Sequence, residues 1–330
     1  MWSSVEFAAA IPGRPGAGSY QRRSSLRPHG GILIEGAARL GIGFPYIAEL
    51  PAEFYRSGLL DFVEVTPETL CRQRAVANTA GIEIVSEQME QAREACLGLP
   101  IVVHGVELSI GSAHSWNGAY IDMLDTFQAR WPFLWHSEHL GYQTISGENG
   151  ATLETGVPLP VPATKEAVQI IAERSAVIVK RYGVPFLLEN PAYYIADLPS
   201  DPEIGDDIGL LGAIMERSGC FQLLDLHNVY CNAINHRQDP LAIVDRVSLN
   251  RVMEIHVAGG SSHDGFWMDA HNGSVPEPVW ELLEYTLPRA RNVSGVVFEM
   301  LDEFAPRFGV AAITKELERA RNIWNRHKRD

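Results

Sequence analysis

Seven apolar stretches of this chain run into an acidic or imidazole side chain: Glu64, His104, His136 with Glu138, Glu189, Asp225 with His227, His256, and Glu299. The loop after His256, VAGGSSHDGFWMDAHNGSV, adds Asp269 and His271, a second Asp-x-His pair after that of Asp225 and His227. Carboxylates and neutral imidazoles crowded together are costly to desolvate unless a positive charge neutralises them. Lys and Arg are nearly absent from these positions, so metal cations are the natural counter-charge. The donors are nitrogen and oxygen, with no cysteine among them, which suits iron, manganese or zinc rather than a thiolate-rich structural site. One ion cannot use them all. Two or three ions sharing bridging carboxylates accommodate the set and leave positions open for substrate, water or dioxygen.

Side chains this far apart in sequence meet only if the fold gathers them. Eight short apolar runs, many β-branched, lie at 41–45, 61–65, 100–104, 133–138, 185–189, 221–225, 252–256 and 295–299. Helix-like stretches fall between and after them, at 84–97, 117–130, 163–182, 240–247, 276–290 and 303–328. In 163–182, Val168, Ile171, Ala172 and Val179, with Val177 nearby, recur at roughly helical spacing, so one face can pack on a sheet. This alternation implies parallel strands with right-handed crossovers, and eight units favour a (β/α)8 TIM barrel over an open doubly wound sheet. In a barrel every C-terminal strand end opens on one mouth, where the acids and imidazoles converge. Taken singly, His104 reads as a hydrogen-bonded structural residue, and Glu64 and Glu138 as ion-pair partners. Polar groups at seven of eight strand ends argue for metal. His136 and His139 read alternatively as partners that orient ligands. Of His29, His114, His236 and His263, which lie off the strand ends, His263 comes nearest to a ligand position.

Residues 1–40, where Pro, Gly, Ser and Arg are mixed without a sustained apolar period, read as a flexible N-terminal extension, and 41–330 as the metal-binding barrel. The chain has 330 residues, 46% hydrophobic and 21% charged, an ordinary globular composition with no apolar run long enough to span a membrane. Its 41 acidic against 27 basic residues, a formal charge of −14, argue against a nucleic-acid or anionic-membrane partner. Cys71, Cys96, Cys220 and Cys231 lack paired short spacing, and the start lacks the features of a secretory signal, so a reducing cytoplasm is the expected setting. No GxGxxG turn, GxSxG elbow or P-loop is present. Trp116, Tyr142, Tyr193, Tyr194, Tyr230 and Trp267 follow strand ends, where they either wall a substrate groove or pack the barrel.

The motifs HGVELSIGS, SEHLGY, LENPAYY, LLDLHNVYCNAINH, IHVAGG, DAHNGSVPEPVW and FEMLDEF, in this order from His104 to Phe304, resemble those of the DUF692 family, the multinuclear non-heme iron-dependent oxidases that include MbnB. The resemblance runs from about Gly41 to Phe304. It implies a TIM barrel holding two or three iron ions of mixed valence, with dioxygen as co-substrate. The implied substrate is a ribosomally synthesised precursor peptide, modified often at cysteine and presented by a partner protein. It also implies metal roles for His104, Glu138, Glu189 or its neighbour Asn190, Asp225, His256, Asp269, His271 and Glu299. Three departures mark a divergent branch. The first strand, GIGFPYIAEL, has no histidine; the last motif reads FEMLDEF; and His227 stands where the family commonly has an amide, adding a ligand or altering the metal balance.

Two other readings fit the same residues. The ligand order also resembles the xylose-isomerase-like barrels, including zinc endonucleases of the endonuclease IV type, in which zinc-bound hydroxide attacks phosphate. Alternatively the chain is a non-catalytic metal-binding docking protein.

Overall fold

The computed structural model describes residues 39–76, 79–114, 116–146, 152–195 and 198–327. Residues 1–38 of the expected extension lie outside the described residues. Eight strands form a closed barrel: β1 (Gly41–Pro45), β2 (Phe62–Val65), β5 (Ile101–Gly105), β6 (His136–His139), β9 (Phe186–Glu189), β10 (Phe221–Asp225), β11 (Val252–Ala258) and β14 (Gly295–Glu299). Every neighbouring pair is parallel, as the strand–helix alternation requires. The other six strands form three antiparallel ribbons in the loops after β2, β6 and β11. These are β3 (Cys71–Val76) with β4 (Thr79–Ile84), β7 (Gly141–Ser146) with β8 (Thr152–Pro160), and β12 (Ser261–His263) with β13 (Phe266–Met268). Such loops belong to the C-terminal mouth.

The helices are α1 (Ala52–Tyr55), α2 (Ser86–Ala95), α3 (Gly118–Arg130), α4 (Lys165–Tyr182), α5 (Asp207–Ser218), α6 (Leu226–His236), α7 (Pro240–Arg246), α8 (Glu277–Thr286), α9 (Ala305–Phe308) and α10 (Val310–His327). Helix α4 shows why they form: Thr164 caps its first turn by accepting from Ala167 N–H, and Gly183 ends it in a left-handed conformation. Its buried face is Val168, Ile171, Ala172 and Ile178. Sequence periodicity misses α1, α5 and α6. Helix α6 starts without a loop at the end of β10, and its buried apolar residues Leu226, Val229, Cys231 and Ala233 are interrupted by the equally buried His227, Asn228 and Asn232. Among the described residues no helix is long and apolar enough to cross a membrane.

The barrel interior is layered. Phe62, Val102, Trp135, Leu187, Leu223, Met253 and Val297 form an apolar plug separate from the larger core between barrel and helices. Because side chains alternate, the next inward position on these strands lies two residues on. That step reaches Glu64, His104, Ser137, Glu189, Asp225 and Glu299, and a further step on β6 reaches His139. On β11 the register shifts against β10, so Glu254 falls level with Leu223 of the plug and His256 level with Asp225 of the polar layer. The plug therefore forms the dry floor of a polar mouth.

Strand β1 contributes no polar group. Gly43 pairs with Phe62, and a Cβ at Gly43 or Gly295 would stand 2.4 or 2.6 Å from the Phe62 ring. Gly43→Ala and Gly295→Ala are each expected to destabilise the fold by about 1–3 kcal/mol through overpacking, measured as a lower urea midpoint at unchanged slope.

Candidate metal centre

Five carboxylates and five imidazoles form overlapping groups at the mouth: His104, His139 and Glu189; Glu189, Asp225 and His256; Glu64, His256 and Glu299; Asp225, His271 and Glu299; His227, Asp269 and His271. Within each group one ligand atom per residue lies within 4.8 Å of the others. Glu189, Asp225, His256, His271 and Glu299 each belong to two groups, so the cluster is continuous. Glu64, His104, Glu189, Asp225 and His256 are buried, whereas Asp269 and Glu299 keep 22% and 14% side-chain exposure and mark the open side.

Several contacts in this cluster have the spacing of ligands around a cation rather than the alignment of hydrogen bonds. His104 Nε2 and His139 Nε2 lie 3.3 and 3.1 Å from Glu189 Oε2, and His271 Nε2 lies 2.7 Å from Asp269 Oδ1. Yet His104 Nε2, Glu189 Oε2, Asp225 Oδ2 and His271 Nε2 are buried without a hydrogen-bond partner. Atoms each about 2.0–2.2 Å from one ion stand roughly 3 Å apart. Orphaned donors at this spacing, together with an N/O donor set, fit a divalent metal. No Lys or Arg forms an ion pair with these carboxylates among the described residues.

Neighbouring groups hold the free atoms in place. Ser137 Oγ donates to Val103 O at 3.2 Å, so it must accept from His104 Nδ1–H at 3.0 Å, which leaves the His104 lone pair on Nε2. Asn228 Nδ2 donates to Glu189 Oε1 at 3.1 Å, and Asn228 N–H to Asp225 Oδ1 at 2.7 Å, so each carboxylate keeps one untethered oxygen. That second bond makes Asp225 the N-cap of α6, whose positive end favours the charge. His271 is held at φ +46°, a left-handed conformation that costs a residue with a Cβ roughly 1–2 kcal/mol. Ser137→Ala is expected to weaken metal binding about 10-fold or more, the usual effect of losing an orienting partner, as read by competition with a chelator.

Charges are distributed unevenly in the cluster. Burial alone would lower His256, but Glu64 at 3.0 Å and Glu299 at 2.9 Å on its two ring nitrogens hold it well above an ordinary histidine. His271 is likewise raised, against the effect of burial, by Asp269 and Glu299. Burial, then the neighbouring imidazoles, keep His104 well below the usual range and hence neutral. Burial and Asp225 push Glu189 well up, and burial and Asp269 push Asp225 to about 6. Burial would raise Asp269 and Glu299 too, but their histidine neighbours hold both far below the carboxylate range. One layer down, Glu254 accepts from Trp135 Nε1–H at 2.8 Å and is pushed up to about 8 by burial.

Of the residues expected from sequence, His104, Glu189, Asp225, His227, His256, Asp269, His271 and Glu299 are brought together here. Glu138 and Asn190 are not. Glu138 sits on the outward face of β6, 2.7 Å from His136 Nε2 and beside the Tyr120 hydroxyl, and burial pushes it up to about 8. Its place is taken by His139, one residue on and of opposite parity. Asn190 spends its amide on the Asp225 backbone, donating to the carbonyl at 2.9 Å and accepting from N–H at 3.0 Å, so it positions the strand end. His136 packs between Phe133, Tyr182 and Phe186. Glu64 joins the cluster, while His263 stands exposed on β12 beside Asp264. Trp135, Ser137 and His139 share the inward face of β6, and Ser137 pairs in register with His104.

Fold and site together define a TIM barrel carrying a candidate polynuclear metal centre. The chain belongs to the family described as RiPP precursor modification enzyme MbnB/TglH/ChrH, whose family model matches residues 39–325. It is therefore an enzyme of the kind that modifies ribosomally synthesised peptides, in line with the motif resemblance. A UPF0276 protein of Caulobacter vibrioides is 31% identical over 269 residues, 81% of this chain and 87% of the relative. A UPF0276 protein of Rhizorhabdus wittichii is 33% identical over 231 residues, 70% of this chain and 78% of the relative. The crystal structure of IOLI protein with a binding zinc atom superposes at TM-score 0.51 and 11% identity, covering 87% of this chain and 98% of that one, a likeness in fold alone.

Proposed function

We propose that this protein is a multinuclear iron, dioxygen-dependent oxidase that modifies cysteine in a ribosomally synthesised precursor peptide. The observation that carries this reading is the continuity of the donor groups: Glu189, Asp225 and Glu299 each serve two groups, as carboxylates bridging two or three ions would. His104, His139, Glu189, Asp225, His256, His271, Asp269 and Glu299, with Glu64 behind His256, hold the ions. Mixed-valence iron, when bound, supplies the redox chemistry that couples dioxygen to oxidation at a substrate thiolate.

The chain's own residues set the conditions. Ser137 keeps the proton of His104 on Nδ1, and Asn228 turns one oxygen each of Glu189 and Asp225 inward. The apolar plug beneath excludes water from below. No cysteine belongs to the donor groups among the described residues, and burial holds the nearby Cys231 as the thiol, so a thiolate at the centre comes from the peptide. A partner protein presents that peptide, and the reaction takes place in the cytoplasm.

The test is anaerobic purification with ferrous iron, elemental analysis, and dioxygen uptake with a cysteine-bearing peptide encoded beside the gene. Two or three irons per chain and peptide-dependent uptake are expected. A folded protein that takes no iron, or that consumes no dioxygen with any such peptide, would refute the proposal.

A further inference from the structure

His227 occupies the centre by position, yet its hydrogen bonds leave it no lone pair for a metal. Trp267 Nε1 lies 3.1 Å from His227 Nε2, and an indole N–H can only donate. Nε2 must therefore accept, which places the ring's proton on Nδ1, 2.9 Å from Asp269 Oδ1. One nitrogen is spent on the indole and the other on the carboxylate. His256 differs, because both its partners are carboxylates, which can exchange a proton for a cation.

The surroundings enforce this arrangement. Trp267 lies on β13, and Asn235 of α6 clamps its backbone from both sides, accepting from N–H at 2.8 Å and donating to the carbonyl at 2.9 Å. Tyr230, also on α6, meets the Trp267 ring edge-on at 5.6 Å. Gly260, just before β12, leaves the ring its space: a Cβ there would stand 2.6 Å from His227 Nε2. Asp269 itself is fixed a second time, its N–H donating to the Tyr194 hydroxyl at 2.9 Å.

We propose that His227 is a positioning residue, held off the metal by the Trp267 indole, that aims Asp269 at the centre and ties the β12–β13 ribbon to it. The inference rests on the metal-centre reading above and assigns His227 a different role within it.

The test compares full-length wild type, His227→Asn, Trp267→Phe and His271→Ala, each loaded anaerobically with ferrous iron. Elemental analysis and Mössbauer spectra are the readouts, and 15N NMR of the histidine rings in the metal-free protein is a readout independent of iron. His227→Asn is expected to keep the wild-type iron count with one site's spectrum shifted, whereas His271→Ala loses an iron. In the metal-free wild type His227 is expected as the Nδ1–H tautomer, with its Nε2 signal moving in Trp267→Phe. Loss of an iron in correctly folded His227→Asn, or a proton found on Nε2, overturns the proposal. Failure of the wild type to take iron would instead sink the oxidase reading, and the ring tautomer would still decide the role of His227.

Discussion

Asp225→Asn is expected to strip metal from the centre and reduce peptide-dependent dioxygen uptake by more than about 100-fold, above the usual range for an orienting partner. It is also expected to make the metal-free protein more stable. Asp225 belongs to two donor groups, and an amide in its place supplies no charge. The helix cap survives, because Asn Oδ1 still accepts from Asn228 N–H. Stability rises because burial and Asp269 push the carboxyl up from 3.8 to about 6. The metal-free fold therefore gives up, as pH rises from about 4 to 6, stability on the order of 2–3 kcal/mol, and the loss stays constant above that. Urea melts of metal-free wild type and variant at pH 4 and pH 8 check this: the variant's advantage should appear at pH 8 and vanish at pH 4. Glu299→Gln is the contrast. His271 and His256 overcome burial and hold Glu299 well below the ordinary carboxylate range, so its removal should cost metal and stability together. If the two variants shift the metal-free protein in the same direction, the charge distribution described here is wrong.

Chelation of the loaded protein is expected to lower its melting temperature by about 4 °C for each ion present at 100 times its dissociation constant. The gap should widen from pH 6 to pH 8. In the metal-free fold Asp225 and Glu254 are pushed to about 6 and about 8, and burial also raises Glu64 and Glu189. A raised carboxyl contributes stability that is complete below its unfolded pKa and lost as pH climbs through the folded one. His256 and His271, raised by their carboxylates, act in the same direction: their contribution is complete below about 6.5 and declines as pH rises through the folded value. His104 and His139, lowered by burial, act only on the acid side, where the unfolded chain takes up protons that the fold refuses. Bound cations replace these protons, so affinity grows with pH. Thermal melts with ferrous iron and with chelator at pH 6, 7 and 8 decide the matter, and a gap that stays constant or shrinks argues against a metal-neutralised cluster.

Much of the molecule is legible in one dimension because its information is local. Seven of the eight barrel strands pass from hydrocarbon to an acid or imidazole at their C-terminal end, as in Val102 to His104 or Leu187 to Glu189, and β1 does not. That change reports both the barrel and its mouth, and the order of the motifs reports the family. Helix α6 is hidden because buried polar His227, Asn228 and Asn232 interrupt its apolar face and no loop separates it from β10. The three ribbons are antiparallel insertions in the loops after β2, β6 and β11, outside the strand–helix alternation.

Parity and partner choice are where local reading ends. In His136-Ser137-Glu138-His139 both alternations are chemically sensible, and only pairing with β5 in the closed barrel turns Ser137 and His139 inward and Glu138 outward. Asp225 with its neighbour His227 looks like a ligand pair until the ribbon 40 residues further on brings the Trp267 indole against His227 Nε2. Residue types and strand ends determine that imidazoles and carboxylates gather at one mouth, since hydrophobic alternation is written residue by residue. Which nitrogen holds a proton, and which oxygen stays free, depends on contacts between strands distant in sequence, and only the closed barrel creates those.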